Sequence, residues 1–192
     1  SGEPFSKRNS ADSINQLREE GIDPNAINSL NASIGSSVDI EAYDSLNILA
    51  TKFEITSLGR APARYSNNQL YKLNSELLSN YNFEKITSLL GDNKGSFNRE
   101  FWDCIKNNIS NISEVFEWIR VVDEPINIEI DTENEYLNTA QDLLPNEPWN
   151  IETWDQWIVK IKEKTEKKGK DLFMPIRLAL TGKTKGPELN KL

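Results

Sequence analysis

Apolar residues recur at intervals of three and four along nearly the whole chain, the spacing of one face of an α-helix. Residues 13–20 set Ile14 and Leu17 on one face and stop at Gly21, a residue suited to a left-handed terminator. Asp23 followed by Pro24 reads as an N-cap and first helical residue, with Ile27, Leu30 and Ile34 leading to Gly35. A helix over about 41–53 turns Leu46, Leu49 and Ala50 inward, and residues 59–62 read as a connector. Leu70, Leu73, Leu77 and Leu78 trace an amphipathic stripe over 67–80. Shorter helices come next: one from Phe83 to Gly91, one capped by Ser96 that carries Phe101, Trp102 and Ile105, and one capped by Ser113 that carries Val115, Phe116 and Ile119, with Val122 at its margin. The alternation over 126–130 suggests a brief strand, and a helix over 133–144 stops before Pro145. Asn150 caps a long helix through Trp154, Trp157, Ile158 and Ile161 to Gly169. Residues 172–181 form an apolar helix with Pro175 in its first turn and Gly182 at its end, and Pro187 opens one more. The predicted fold class is all-α, short helices packed in two or three clusters.

Composition removes several kinds of chemistry. The 192 residues include no histidine, which excludes the commonest general base, the Ser/Cys–His pairs and the commonest zinc ligand. Cys104 is the single cysteine and sits among apolar neighbours, so it reads as an inert thiol. No window approaches the roughly 18 apolar residues of a membrane span, and no apolar h-region opens the chain, so a cytoplasmic protein without a membrane partner is expected. The chain opens at Ser1 and its only methionine is Met174, for which a piece of a longer polypeptide is the simplest account.

Charge is uneven. The net charge is −8, yet residues 156–192 hold ten Lys/Arg against four Asp/Glu. A polyanion would have to be gripped at this basic end, where Lys167, Lys168 and Lys170 cluster. On charge alone a solvated face is the ordinary reading. The tryptophans at 102, 118, 149, 154 and 157 could stack on bases, but their helical spacing among Ile and Leu favours the core. Two segments stand above this background. Ser6, Lys7 and Arg8, in a small polar loop before a helix, could hold phosphate oxygens. Arg177 is a lone cation among Phe173, Ile176, Leu178 and Leu180, and must snorkel, pair with a local carboxylate or meet a planar acceptor such as a base or phosphate.

The stretch KKGKDLFMPIRLALTG over 167–182, with GPEL over 186–189, resembles the anticodon-binding C-terminal domain of bacterial glutamyl-tRNA synthetases, class I aminoacyl-tRNA synthetases. PWNIETW over 148–154 is similar to the segment that precedes it there. PFSKR over 4–8 resembles the second class I signature, usually written KMSKS, and LREEG over 17–21 resembles the segment just after that signature in the family. The resemblance implies a C-terminal fragment running from that loop through the anticodon-binding domain. Residues 1–60 would be the signature loop and a helical stem-contact segment, 61–125 the first helical subdomain of the anticodon-binding domain, and 126–192 the second. The Rossmann-like catalytic domain, with a His-Ile-Gly-His-type motif that no histidine-free chain contains, would lie elsewhere.

By the same resemblance, Lys7 matches a lysine that stabilises charge on the ATP phosphates, flanked by Ser6 and Arg8, while Pro4 replaces the signature's first lysine. Arg177 matches an arginine that contacts an anticodon base. Pro187 and Leu189 match a loop that packs on anticodon bases, and Gly186 stands where some relatives have threonine. Asn111 aligns with an arginine that reads the anticodon's third letter. An asparagine can bond either C or G, which leaves open whether the tRNA for glutamine is taken besides that for glutamate. The implied parent is a monomeric glutamate–tRNA ligase using ATP and Mg2+, and the chain alone holds neither. The rival from another class is a helical protein-interaction module with a basic C-terminal face; a hydrolase has no nucleophile–base pair to recommend it.

Overall fold

The computed structural model describes residues 13–37, 39, 41–92, 94–126 and 134–192. Among these the chain is helical, and its β-structure is one isolated antiparallel bridge between Ser36 and Leu58. The helices are α1 (Ile14–Glu19), α2 (Pro24–Ser33), α3 (Leu46–Lys52), α4 (Asn67–Asn80), α5 (Phe83–Leu90), α6 (Arg99–Ile105), α7 (Ile112–Asp123), α8 (Asn134–Asp142), α9 (Thr153–Thr165) and α10 (Gly169–Thr181). The all-α expectation holds for the described residues. The expected strand lies almost wholly outside them, as do Ser6, Lys7 and Arg8.

Two compact units divide the chain, residues 1–94 with 106–117, and residues 95–105 with 118–192, so the division falls within α7. In the first unit, α1 begins with a reciprocal cap: Gln16 N donates to Ser13 Oγ, and Ser13 N donates to Gln16 Oε1 at 2.7 Å. Asp23 caps α2 by accepting from Asn25 N, and Pro24 occupies the first helical position as its fixed φ favours. Helix α2 packs on α4, whose Leu70, Leu73, Leu77 and Leu78 are all buried. Within that stripe lies Asn74, fully buried. Its Oδ1 accepts from Asp23 N at 2.7 Å and its Nδ2 donates to Ser110 O at 2.6 Å, which ties the start of α2 to the turn before α7. Tyr81 donates to the other oxygen of Asp23 at 2.8 Å; burial first, then this bond, pushes its phenol well above the ordinary range.

The second unit is built on α8, α9 and α10. Tyr136, Ala140, Trp157, Ile158, Ile161, Leu172 and Ile176 form its core, edged by Leu137, Trp154 and Leu189. The two large polar-tipped side chains in it keep their donors satisfied: Tyr136 donates to Leu172 O at 2.6 Å and Trp157 Nε1 to Ala140 O at 2.7 Å. Trp102 and Trp118 are also buried, as the helical spacing suggests, whereas Trp149 is 56% exposed with its Nε1 bonded to Pro145 O.

Several boundaries differ from expectation. Helix α3 starts at Leu46 and buries no residue fully; α2 contacts it and Leu49 is half-buried, but Leu46 is 57% exposed and Ala50 is exposed, so the face expected to turn inward is only partly covered. Asn98, not Ser96, caps α6 by accepting from Phe101 N, because the helix begins at Arg99; Ser96 N donates instead to the Asp123 carboxylate. Asn111, not Ser113, caps α7 by accepting from Glu114 N at 3.1 Å. Helix α9 ends at Thr165 with Glu166 in the left-handed region, short of Gly169. Helix α10 starts at Gly169, which places Pro175 inside it rather than in its first turn. Residues 187–192 form a turn and no helix.

Candidate nucleic-acid interface

Everything expected at the basic end hangs on α10. Leu172 and Ile176 are buried in the core beneath it, and Phe173 and Leu180 face outward. Pro175 has no N–H, so the carbonyl of Asp171 loses its helical partner, a loss that solvent offsets at this exposed residue. The helix closes at Gly182, whose φ of 66° lets its N–H reach Leu178 O at 2.8 Å. Buried Thr181 reinforces the stop by donating to Arg177 O and accepting from Lys183 N at 3.1 Å.

Beyond this stop the chain folds back onto Arg177. The Nη2 of Arg177 donates to Pro187 O at 2.8 Å. Its Nη1 is buried and has no hydrogen-bond partner among the described residues. No carboxylate there pairs with it either, so the ion-pair alternative is not what the fold uses. A buried donor without a partner costs about 1–3 kcal/mol, which makes Nη1 a group held ready at a cost to stability. Pro187 is itself buried and Leu189 packs against the core, so both brace the loop from within.

Trp118 completes the arrangement. Gly186 has φ 150°, a value L side chains rarely adopt, and a Cβ added there would overlap Cζ2 and Cη2 of Trp118 while lying 3.4 Å from Arg177 Nη1. Lys183 Nζ stands over the Trp118 ring, 5.6 Å from its centroid. Position 118 was legible only as one tryptophan among five; its one signal was the glycine at 186.

The lysines occupy separate ground. Lys168 and Lys170 are exposed at the start of α10, and half-buried Lys167 holds its Nζ 4.9 Å from the Tyr136 ring centroid. Lys167 lines a groove of about 480 Å³ with Lys164, Thr139, Thr165, Glu135 and Tyr136. Asn111 belongs to the other unit, where its Oδ1 is engaged as the α7 cap and Glu114 Oε2 accepts from Ser110 N at 2.7 Å. The Cys104 thiol is pushed up chiefly by burial, with Lys191 opposing, as an unreactive thiol would be.

Comparison with known proteins places this geometry. A family described as Anticodon binding domain matches residues 69–192. The chain belongs to the anticodon-binding-domain family. It is 42% identical over 196 residues to glutamate–tRNA ligase 1 of Chelativorans sp. (strain BNC1), and 40% identical over 193 residues to that of Parvibaculum lavamentivorans. Each alignment takes in the whole of this chain but only 43% of the relative's length. Among solved structures, the glutamate tRNA ligase of Elizabethkingia meningosepticum superposes with a TM-score of 0.69 at 20% identity, over 97% of this chain and 41% of that one. The synthetase of Elizabethkingia anophelis gives 0.65 at 19% identity, over 97% and 40%. These two likenesses establish a shared fold for the anticodon-binding-domain chain.

Proposed function

We propose that the chain is the tRNA-binding part of a glutamate–tRNA ligase, gripping the anticodon end through Arg177 and the loop Gly186, Pro187 and Leu189. The observation that carries this reading is the guanidinium of Arg177, with Nη2 fixed by Pro187 O and Nη1 buried without a hydrogen-bond partner among the described residues. A fixed planar donor of this kind suits the acceptor edge of a base, where a good bidentate contact discriminates by about 1–3 kcal/mol. Lys167, Lys168 and Lys170 attract the phosphate backbone and set no sequence preference. Asn111 meets a further anticodon base through its Nδ2, since its Oδ1 already accepts from Glu114 N. A contact of that kind leaves the tRNA for glutamine as a second partner.

The glutamate assignment rests on the names of the curated relatives. In the intact ligase, residues 1–60 serve the signature loop and stem contact, 61–125 the first helical subdomain and 126–192 the second. Ser6, Lys7 and Arg8 face the ATP phosphates there, with Mg2+, in a monomeric cytoplasmic enzyme. The histidine-free chain leaves adenylate chemistry to the rest of that ligase.

Filter binding of the anticodon stem-loop of the glutamate tRNA across a salt series tests the proposal. Affinity is expected to fall steeply with salt, at roughly 0.7–0.9 of a log unit per log unit of salt for each phosphate engaged. ATP–pyrophosphate exchange by the purified chain is expected to be nil. Salt-independent binding, or measurable exchange, overturns the assignment.

A further inference from the structure

Neither the positive charge nor the matched motifs pointed to the residue that fixes the site. Trp118, on the second half of α7, is 3% exposed, and its benzo edge fills the space a side chain at 186 would need. The glycine therefore presses its backbone against the indole at a φ that other residues avoid. The next carbonyl along the chain, Pro187 O, is the one that holds Arg177 Nη2. With the proline ring fixing its own φ, the position of that carbonyl follows from where Gly186 comes to rest, and only the ψ of Pro187, held by its bond to Arg177, remains to aim it. The other end of the loop meets the same ring, since Lys183 Nζ lies over it. One indole thus pins residues 183 and 186, and through Pro187 it sets the guanidinium.

We infer that Trp118 is a positioning residue for anticodon discrimination: it touches no base, and it fixes the loop that orients Arg177. This rests on the reading that Arg177 contacts an anticodon base. A Cβ at 186 would also come within 3.4 Å of Nη1, in van der Waals contact with the guanidinium. A displaced ring lets the loop relax and Arg177 Nη2 exchange its partner. Discrimination then falls further than affinity, because the lysines that attract the backbone stand apart, just before and at the start of α10.

The test measures dissociation constants for two stem-loops, one with the glutamate anticodon and one with its bases replaced, at fixed salt. Wild type, W118F, W118A and R177A are compared, each with its thermal midpoint. Phenylalanine keeps a ring for Lys183 but lacks the indole's outer edge, so W118F is expected to lower the ratio of the two constants about threefold and W118A about tenfold. The salt slope is expected to stay at the wild-type value in both. A ratio unchanged in W118F and W118A while the midpoint drops, or an equal loss for both stem-loops, overturns the positioning role. Should W118A fail to fold, W118F decides alone on the same criterion. R177A separates the two layers: if it leaves the ratio intact, the anticodon reading itself has failed, whereas a ratio collapsed in R177A but intact in W118F and W118A sinks only the role of Trp118.

Discussion

Asn74 is wholly buried and Arg177 half-buried with its Nη1 out of water, one in each compact unit, and the fold treats the two oppositely. Asn74 spends its oxygen on Asp23 N and its nitrogen on Ser110 O, and nothing of it faces solvent. Arg177 spends Nη2 on Pro187 O and keeps Nη1 buried without a hydrogen-bond partner among the described residues. A fully satisfied buried group joins pieces of backbone and serves the fold. On the reading proposed above, the donor that Arg177 leaves unspent is the one offered to a base. In this pair satisfaction, more than charge, distinguishes the scaffold residue from the proposed site residue.

The comparison can be broken from the scaffold side first. Asn74→Ala takes the partner from Asp23 N–H and Ser110 C=O at once and empties a buried site, and should lower the free energy of urea unfolding by about 2 kcal/mol. Stem-loop affinity of the folded variant should be unchanged; a loss of affinity at wild-type stability would reverse the roles assigned to the two residues. On the other side, changing Lys167, Lys168 and Lys170 together to glutamine should weaken binding about tenfold at physiological salt and flatten the salt slope by about two units. The loss should be the same for matched and mismatched anticodons, which a filter-binding salt series would show. The smallest effect belongs to Tyr81→Phe, about 1 kcal/mol from the bond to Asp23. Because the folded phenol titrates above its unfolded value near 10, its contribution is full below that pH and is lost as pH rises further. The variant should therefore lose stability less steeply than wild type above pH 10 in a denaturation series.

How much of the fold is legible in the sequence depends on the range of the interactions. The stripe of α4 and the Asp23-Pro24 start of α2 depend on residues within one or two turns, and both appear where periodicity and capping chemistry put them. Ser96 looked like a cap, but α6 begins only at Arg99 and is capped by Asn98, while the Ser96 amide bonds Asp123, 27 positions away. Leu46, Leu49 and Ala50 have helical spacing, yet spacing cannot say how far another element covers the face, and α2 leaves Leu46 and Ala50 exposed. Pro187 resembled a helix start because proline suits that position; its carbonyl is instead taken by the guanidinium of Arg177. Arg177 itself stood out as a lone cation in an apolar helix, but Trp118 could not, since its partner lies 68 positions on at Gly186.

The central claim is that Arg177 reads a base and does not merely add charge. Its most direct test is the affinity of wild type and Arg177→Ala for the glutamate anticodon stem-loop, set against stem-loops with each anticodon base changed singly. The account predicts a loss of about 10- to 100-fold for Arg177→Ala on the cognate stem-loop, and no further loss when the base it reads is changed. Arg177→Lys should fail to restore the contact, because an ammonium lacks the planar fork. An equal loss on every stem-loop, or full recovery with lysine, would show that position 177 supplies only a positive charge, and would contradict the account.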